Sequence, residues 1–127
     1  VITTKHQGIA ALAAAALLAT ALVPATAGAG AGARATKPVK KKIGVEDYYY
    51  TPPKLTIGKG STLTWVWPVD GSDSHDVVLD KGPKGVKTFQ SEIATASYTY
   101  KHTFKVAGKY HIICSLHDEM TMDITVR

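Results

Sequence analysis

Tyr110-His111-Ile112-Ile113-Cys114-Ser115-Leu116-His117-Asp118-Glu119-Met120-Thr121-Met122 reads as the end of one β-strand, a tight loop and the start of another. Side chains alternate across a strand, so Tyr110, Ile112 and Cys114 share one face and His111 points the other way. Cys114 is thereby expected to close its strand on the core-facing side, and His111 to lie at the surface. Ile124-Thr125-Val126 resumes the strand pattern. The loop brings a thiol, an imidazole and a thioether within reach of one point through the spacing Cys114-x-x-His117-x-x-Met120. Such a trio calls for a fourth donor from elsewhere.

Working upstream, the candidate is His75 in Ser74-His75-Asp76-Val77-Val78, which follows a polar loop at the start of an expected strand. Two imidazoles and a thiolate in a trigonal set, with a weak axial thioether, make a type 1 copper site. Thiolate and thioether favour Cu(I) and imidazole tolerates Cu(II). Zinc would also accept Cys and two His, but copper is preferred by the affinity order and by the methionine. Because protein fills all four positions, no coordination site is left for a substrate. Asp76 either accepts a hydrogen bond from Ser115, tying the two donor segments together, or faces solvent. Leu116 keeps a backbone N–H that is expected to point at the Cys114 sulfur. His102 shares parity with Tyr98, Tyr100 and Phe104 and reads as a residue at the edge of the core.

The surrounding chain is of all-β texture. Strands are expected near Ile43–Tyr50, Lys54–Ile57, Thr62–Trp67, His75–Leu79, Ser97–Val106, Tyr110–Cys114 and Thr121–Val126. Pro52-Pro53, Gly58-Lys59-Gly60, Asp70-Gly71, Gly82-Pro83 and Ala107-Gly108 break them. Residues 82–97 have no clear pattern and read as a loop or short helix. The expected fold is a Greek-key β-sandwich of about seven to eight strands.

Of 127 residues, 15 are Lys or Arg and 10 are Asp or Glu, for a net charge of +5. The excess sits in the N-terminal part, so the basic balance describes a tail and no nucleic-acid-binding face is expected. Residues 1–33 read as an export signal. Lys5 and His6 precede an uncharged apolar stretch from Gly8 to Val23, shorter than the ~20 residues of a spanning helix. Small-residue triplets follow at Ala25-Thr26-Ala27, Ala29-Gly30-Ala31 and Ala31-Gly32-Ala33, as signal peptidase requires. The segment is then either cleaved or kept as an anchor. Residues 34–42, with Lys40-Lys41-Lys42, read as a basic solvated linker, and residues 43–127 as the folded domain. Cys114 is the only cysteine, so no internal disulfide forms.

The stretch Tyr110, Cys114, His117, Met120 resembles the C-terminal copper-ligand loop of cupredoxins. Upstream, Tyr50-x-Pro52-x-x-Leu55-x-Ile57-x-x-Gly60-x-x-Leu63-x-Trp65 is similar to the cupredoxin lead into the first ligand histidine, which corresponds to His75. The short Cys-to-Met spacing is like that of amicyanins. Trp67 and Asp76 stand where plastocyanin-like sequences usually carry Asn. The resemblance implies one copper ion cycling between Cu(I) and Cu(II) on His75, Cys114, His117 and Met120. It also implies a monomeric electron carrier rather than an enzyme, docking redox partners near His117 in the periplasm, cell wall or extracellular space. The other function weighed is copper binding and delivery without redox cycling. Counting from Met122 instead of Met120 restores the plastocyanin-like spacing, so Met122 is the rival axial donor.

Overall fold

The computed structural model describes residues 35–127. Among the described residues, eight strands form two four-stranded sheets. They are β1 (Lys40–Glu46), β2 (Tyr49–Thr51), β3 (Lys54–Ile57), β4 (Ser61–Val66), β5 (Val78–Lys81), β6 (Thr99–Phe104), β7 (Gly108–Cys114) and β8 (His117–Val126). One sheet runs β2-β1-β4-β6 and the other β3-β8-β7-β5. β1 lies parallel to β4 and β3 parallel to β8, while β4–β6, β7–β8 and β5–β7 are antiparallel. The all-β sandwich expected from the sequence is therefore the fold. No helix of the described residues is long and apolar enough to cross a membrane.

Alternation explains how the sheets meet. Ser61, Leu63 and Trp65 of β4 are buried while Thr62, Thr64 and Val66 between them are half-buried. In β8 the buried residues are Met120, Met122, Ile124 and Val126, all of one parity. Ile43 and Val45, Ile57 and Ile112 complete the interior between the sheets with Tyr50, Trp67 and Phe104. Each fully buried large apolar side chain contributes roughly 1.5–3 kcal/mol, so this interior fixes the strand register and with it the ends of β7 and β8.

Three segments differ from the sequence reading: the start of β1, the single strand expected over Ile43–Tyr50, which is β1 and β2 joined by a turn at Asp47 and Tyr48, and the segment of His75. β1 begins at Lys40 rather than Ile43, and Lys40, Lys41 and Lys42 pair with Thr62, Leu63 and Thr64. The part of residues 34–42 nearest β1 is likewise bound: Val39 N–H donates to Ser61 Oγ at 2.9 Å and Thr62 N–H to the Val39 carbonyl at 2.9 Å. Gly58 makes room for it, since a Cβ there would sit 1.9 Å from the Thr36 carbonyl oxygen. The lysines are exposed on a strand end that pairs on one side only, where charge discourages edge-to-edge association. His75 precedes β5 and forms an isolated bridge with Ala94. Residues 82–97 form a loop with local bridges from Gln90 to Val78 and Ala94 to His75, and no helix. The export signal expected over residues 1–33 lies outside the described residues.

Topology also sorts the charges. β1 and β4 finish, β7 finishes and β8 starts at one end of the sandwich, which carries Glu46, Asp47, Asp118 and Glu119. Lys40, Lys59, Lys105, Lys109 and Arg127 belong to the strand ends and turns of the opposite end.

Candidate metal centre

Three of the four expected donors converge where β7 passes into β8. His75 Nδ1 and His117 Nδ1 are 3.1 Å apart, and Cys114 Sγ lies 3.9 Å from the first and 3.6 Å from the second. A point equidistant from the three atoms is about 2.1 Å from each, the length of a metal–imidazole bond and a little short of a metal–thiolate one. His75 and Cys114 are buried and His117 is half-buried. The set is preformed by the fold: Cys114 closes β7 facing inward, and the β7–β8 connection turns His117 back opposite it.

Both methionines are buried on the inward face of β8. Their levels differ. Met122 pairs with Ile112 and Thr121 with Ile113, so Met120 follows the last regular pair and lies two residues nearer the β7–β8 loop than Met122. The irregularity after Ile113 is where β7 leaves that register to place Cys114 opposite His117.

Asp76 ties the donor segments together and does not face solvent. It is fully buried, its Oδ1 accepts the Ser115 N–H at 2.7 Å and its Oδ2 accepts the Ser115 hydroxyl at 2.6 Å and Gln90 Nε2–H at 3.1 Å. Three donors compensate the cost of burying this carboxylate. Tyr50 donates its hydroxyl to the Asp76 carbonyl, and burial, then the charges of Cys114 and Asp76, raise its phenol above the usual range. The expected Leu116 N–H to sulfur bond is not found among the described residues; the polar neighbours of Cys114 Sγ are the two imidazoles. Leu116 itself is exposed.

His111 faces outward and pairs with Asp123 at 2.8 Å. His102 stacks on Phe89 with ring centroids 3.7 Å apart, and burial lowers its pKa. Neither joins the donor group.

Sequence reasoning missed the turn between β1 and β2. Asp47 Oδ1 lies 3.2 Å from His75 Nε2 and also accepts the Asp73 N–H at 2.8 Å. That backbone bond and then the bond to His75 hold its carboxyl below the ordinary carboxylate range. Tyr48 sits edge-on to His117 at 4.9 Å and to His75 at 6.1 Å, and donates its hydroxyl to the Asp73 carboxylate. That bond and the charge of Asp73 raise its phenol pKa. Tyr48 holds a left-handed backbone, φ 69°, which is uncommon for a residue with a Cβ. No spacing signal links Asp47 to a histidine 28 residues on; only the folded register brings them together.

A soft sulfur and two imidazoles on one point match copper's preferences. The sequence model of copper binding proteins, plastocyanin/azurin family, matches residues 37–127. The chain belongs to this family. Among plastocyanin/azurin relatives, amicyanin of Paracoccus versutus is 34% identical over 85 residues, which are 66% of this chain and 62% of that protein. The chain thus spans less than two thirds of the length of that curated relative. The crystal structure of Paracoccus versutus amicyanin matches with a TM-score of 0.58 at 31% identity, covering 76% of this chain and 84% of that one. A copper-containing nitrite reductase from Thermus scotoductus SA-01 matches with a TM-score of 0.59 at 26% identity, over 77% of this chain but 24% of the reductase. As a plastocyanin/azurin family member the protein is a cupredoxin that binds one type 1 copper ion, and His75, Cys114 and His117 form a donor group able to hold it.

Proposed function

We propose that the protein carries single electrons between redox partners outside the cytoplasmic membrane, with His75, Cys114 and His117 as equatorial donors and Met120 as the axial one. The observation that carries this reading is the triangle of His75 Nδ1, His117 Nδ1 and Cys114 Sγ, set about 2.1 Å around a common point at one end of the β5–β7–β8 sheet. Copper held there supplies a one-electron Cu(I)/Cu(II) couple. The chain's part is to keep the donors still. Asp76 locks Ser115, and so the loop after Cys114, to the residue beside His75, and a site that changes little between oxidation states exchanges electrons quickly. Support for Met120 over Met122 comes from its place two residues nearer the loop that carries Cys114 and His117.

The half-buried His117 ring, with exposed Tyr48 and Leu116 near it, is the proposed docking side for a partner. Residues 1–33 act as the export signal in this reading, and the protein works as a monomer in the periplasm, cell wall or extracellular space. It serves as a carrier rather than an enzyme, because protein donors take every position. The test is to load the protein with Cu(II) and record visible, EPR and voltammetric data. An intense thiolate charge-transfer band, narrow copper hyperfine splitting and a reversible one-electron wave are expected. A bound copper ion with no reversible wave would favour copper delivery and overturn the carrier reading.

A further inference from the structure

The electron-carrying role leaves Asp47, in the β1–β2 turn, without a task, although it meets the outer nitrogen of one imidazole. We propose that Asp47 sets the reduction potential of the site by acting through His75, an inference that rests on the electron-carrier reading. Asp47 is a positioning residue, since it touches the donor ring and not the metal.

The geometry fixes the direction of the effect. His75 directs Nδ1 toward Cys114 and His117, and Nε2 toward Asp47 Oδ1 at 3.2 Å. With Nε2–H donating to the carboxylate, the lone pair on Nδ1 is left for the metal, and the negative partner raises the basicity of that nitrogen. A more basic donor beside a fixed negative charge stabilises the more positive oxidation state. Asp47 therefore lowers the potential. When the site takes up one electron, converting Cu(II) to Cu(I), no proton or bond at Asp47 changes hands.

The contact is also held in place. The oxygen that meets His75 takes the Asp73 N–H at 2.8 Å, and Asp73 in turn accepts the Tyr48 hydroxyl. Tyr48 follows Asp47 directly in the left-handed turn and rests against both rings. His75 is fully buried, so its side of the contact is dry, whereas the Asp47 side chain is 54% exposed and its charge is partly screened. A moderate effect follows, about threefold to tenfold in the ratio of reduced to oxidised protein, tenfold being 59 mV for one electron.

The copper-loaded full chain tests this with Asp47→Asn, which keeps an oxygen for both N–H donors and removes the charge, and Asp47→Ala, which removes the acceptor. Voltammetry should show a higher potential in Asp47→Asn with the visible band retained, and a potential at least as high in Asp47→Ala. In the Cu(I) proteins, NMR should show the His75 Nε2–H protected from water in the wild type and exchanging fast in Asp47→Ala. Glu119→Gln, a carboxylate of the same end with no bond to a donor ring, is the control and should shift the potential less. An unchanged or lower potential in Asp47→Asn, or an equal shift in Glu119→Gln, overturns the inference while leaving the carrier reading intact. A wild-type protein without a reversible wave overturns the carrier reading and this inference with it.

Discussion

Replacing Cys114 by Ser removes the proposed soft donor and replacing His75 by Ala removes a proposed equatorial nitrogen, so the copper-loaded variants are each expected to lose the intense visible band. His111→Ala and His102→Ala should keep it, because one ring pairs with Asp123 and the other stacks on Phe89. The axial donor is tested by comparing Met120→Leu with Met122→Leu. The first is expected to move the copper spectrum and potential, and the second to act as a core substitution costing under about 1.5 kcal/mol. The reverse pattern would assign the axial bond to Met122. Cys114 and His117 could be read from the sequence because one short loop carries both, and strand parity already turned Cys114 inward. Met120 and Met122 could not be separated that way, since both have the inward parity and only the pairing of Ile112 with Met122 gives their depths. Asp47 and Tyr48 were invisible for a different reason: a turn residue acquires its neighbours from the fold, and its sequence offers no period to read.

Between elements, the buried Asp76 joins the segment before β5 to the β7–β8 loop. Ser115→Ala removes the hydroxyl bond and keeps the backbone one, so a loss of about 1 kcal/mol in urea unfolding is expected. Asp76→Ala should cost more, because it strands the Ser115 N–H as well. On β6, His102 is kept neutral by burial against Phe89, so its folded pKa lies below its unfolded one. Its contribution to stability is present above the unfolded pKa, near 6.5, and is lost as pH falls from there through the folded value. Unfolding measured from pH 7.5 to 5 should thus fall more steeply for the wild type than for His102→Phe; parallel curves would contradict this. The strands themselves were legible wherever apolar residues alternated, as in β4, β7 and β8. The start of β1 was not, because three consecutive lysines look solvated, and a half-paired strand end satisfies its backbone on one side while leaving those side chains in water. Residues 82–97 lack a period since their bridges are isolated.

Across the described residues, the two ends of the sandwich differ in charge and lie far apart. Glu119 in β8 and Arg127 just past its end are eight residues apart, about 27 Å at the rise of a strand, or more than three Debye lengths at physiological salt. With His117 as the proposed docking side, electron self-exchange brings two such sides together and should be governed by local groups. Leu116→Asp is expected to slow it several-fold at 0.15 M salt, whereas Lys40, Lys41 and Lys42 changed together to Gln should leave it nearly unchanged. NMR line broadening in mixtures of oxidised and reduced protein measures both rates, and equal slowing would place docking elsewhere. Among the described residues, the same separation of charge amounts to an electric dipole along the sandwich axis. Beside an anionic surface such a dipole feels a torque that turns Lys105, Lys109 and Arg127 inward and His117 outward, so that adsorption itself would present the proposed electron-exchanging side to the surrounding fluid.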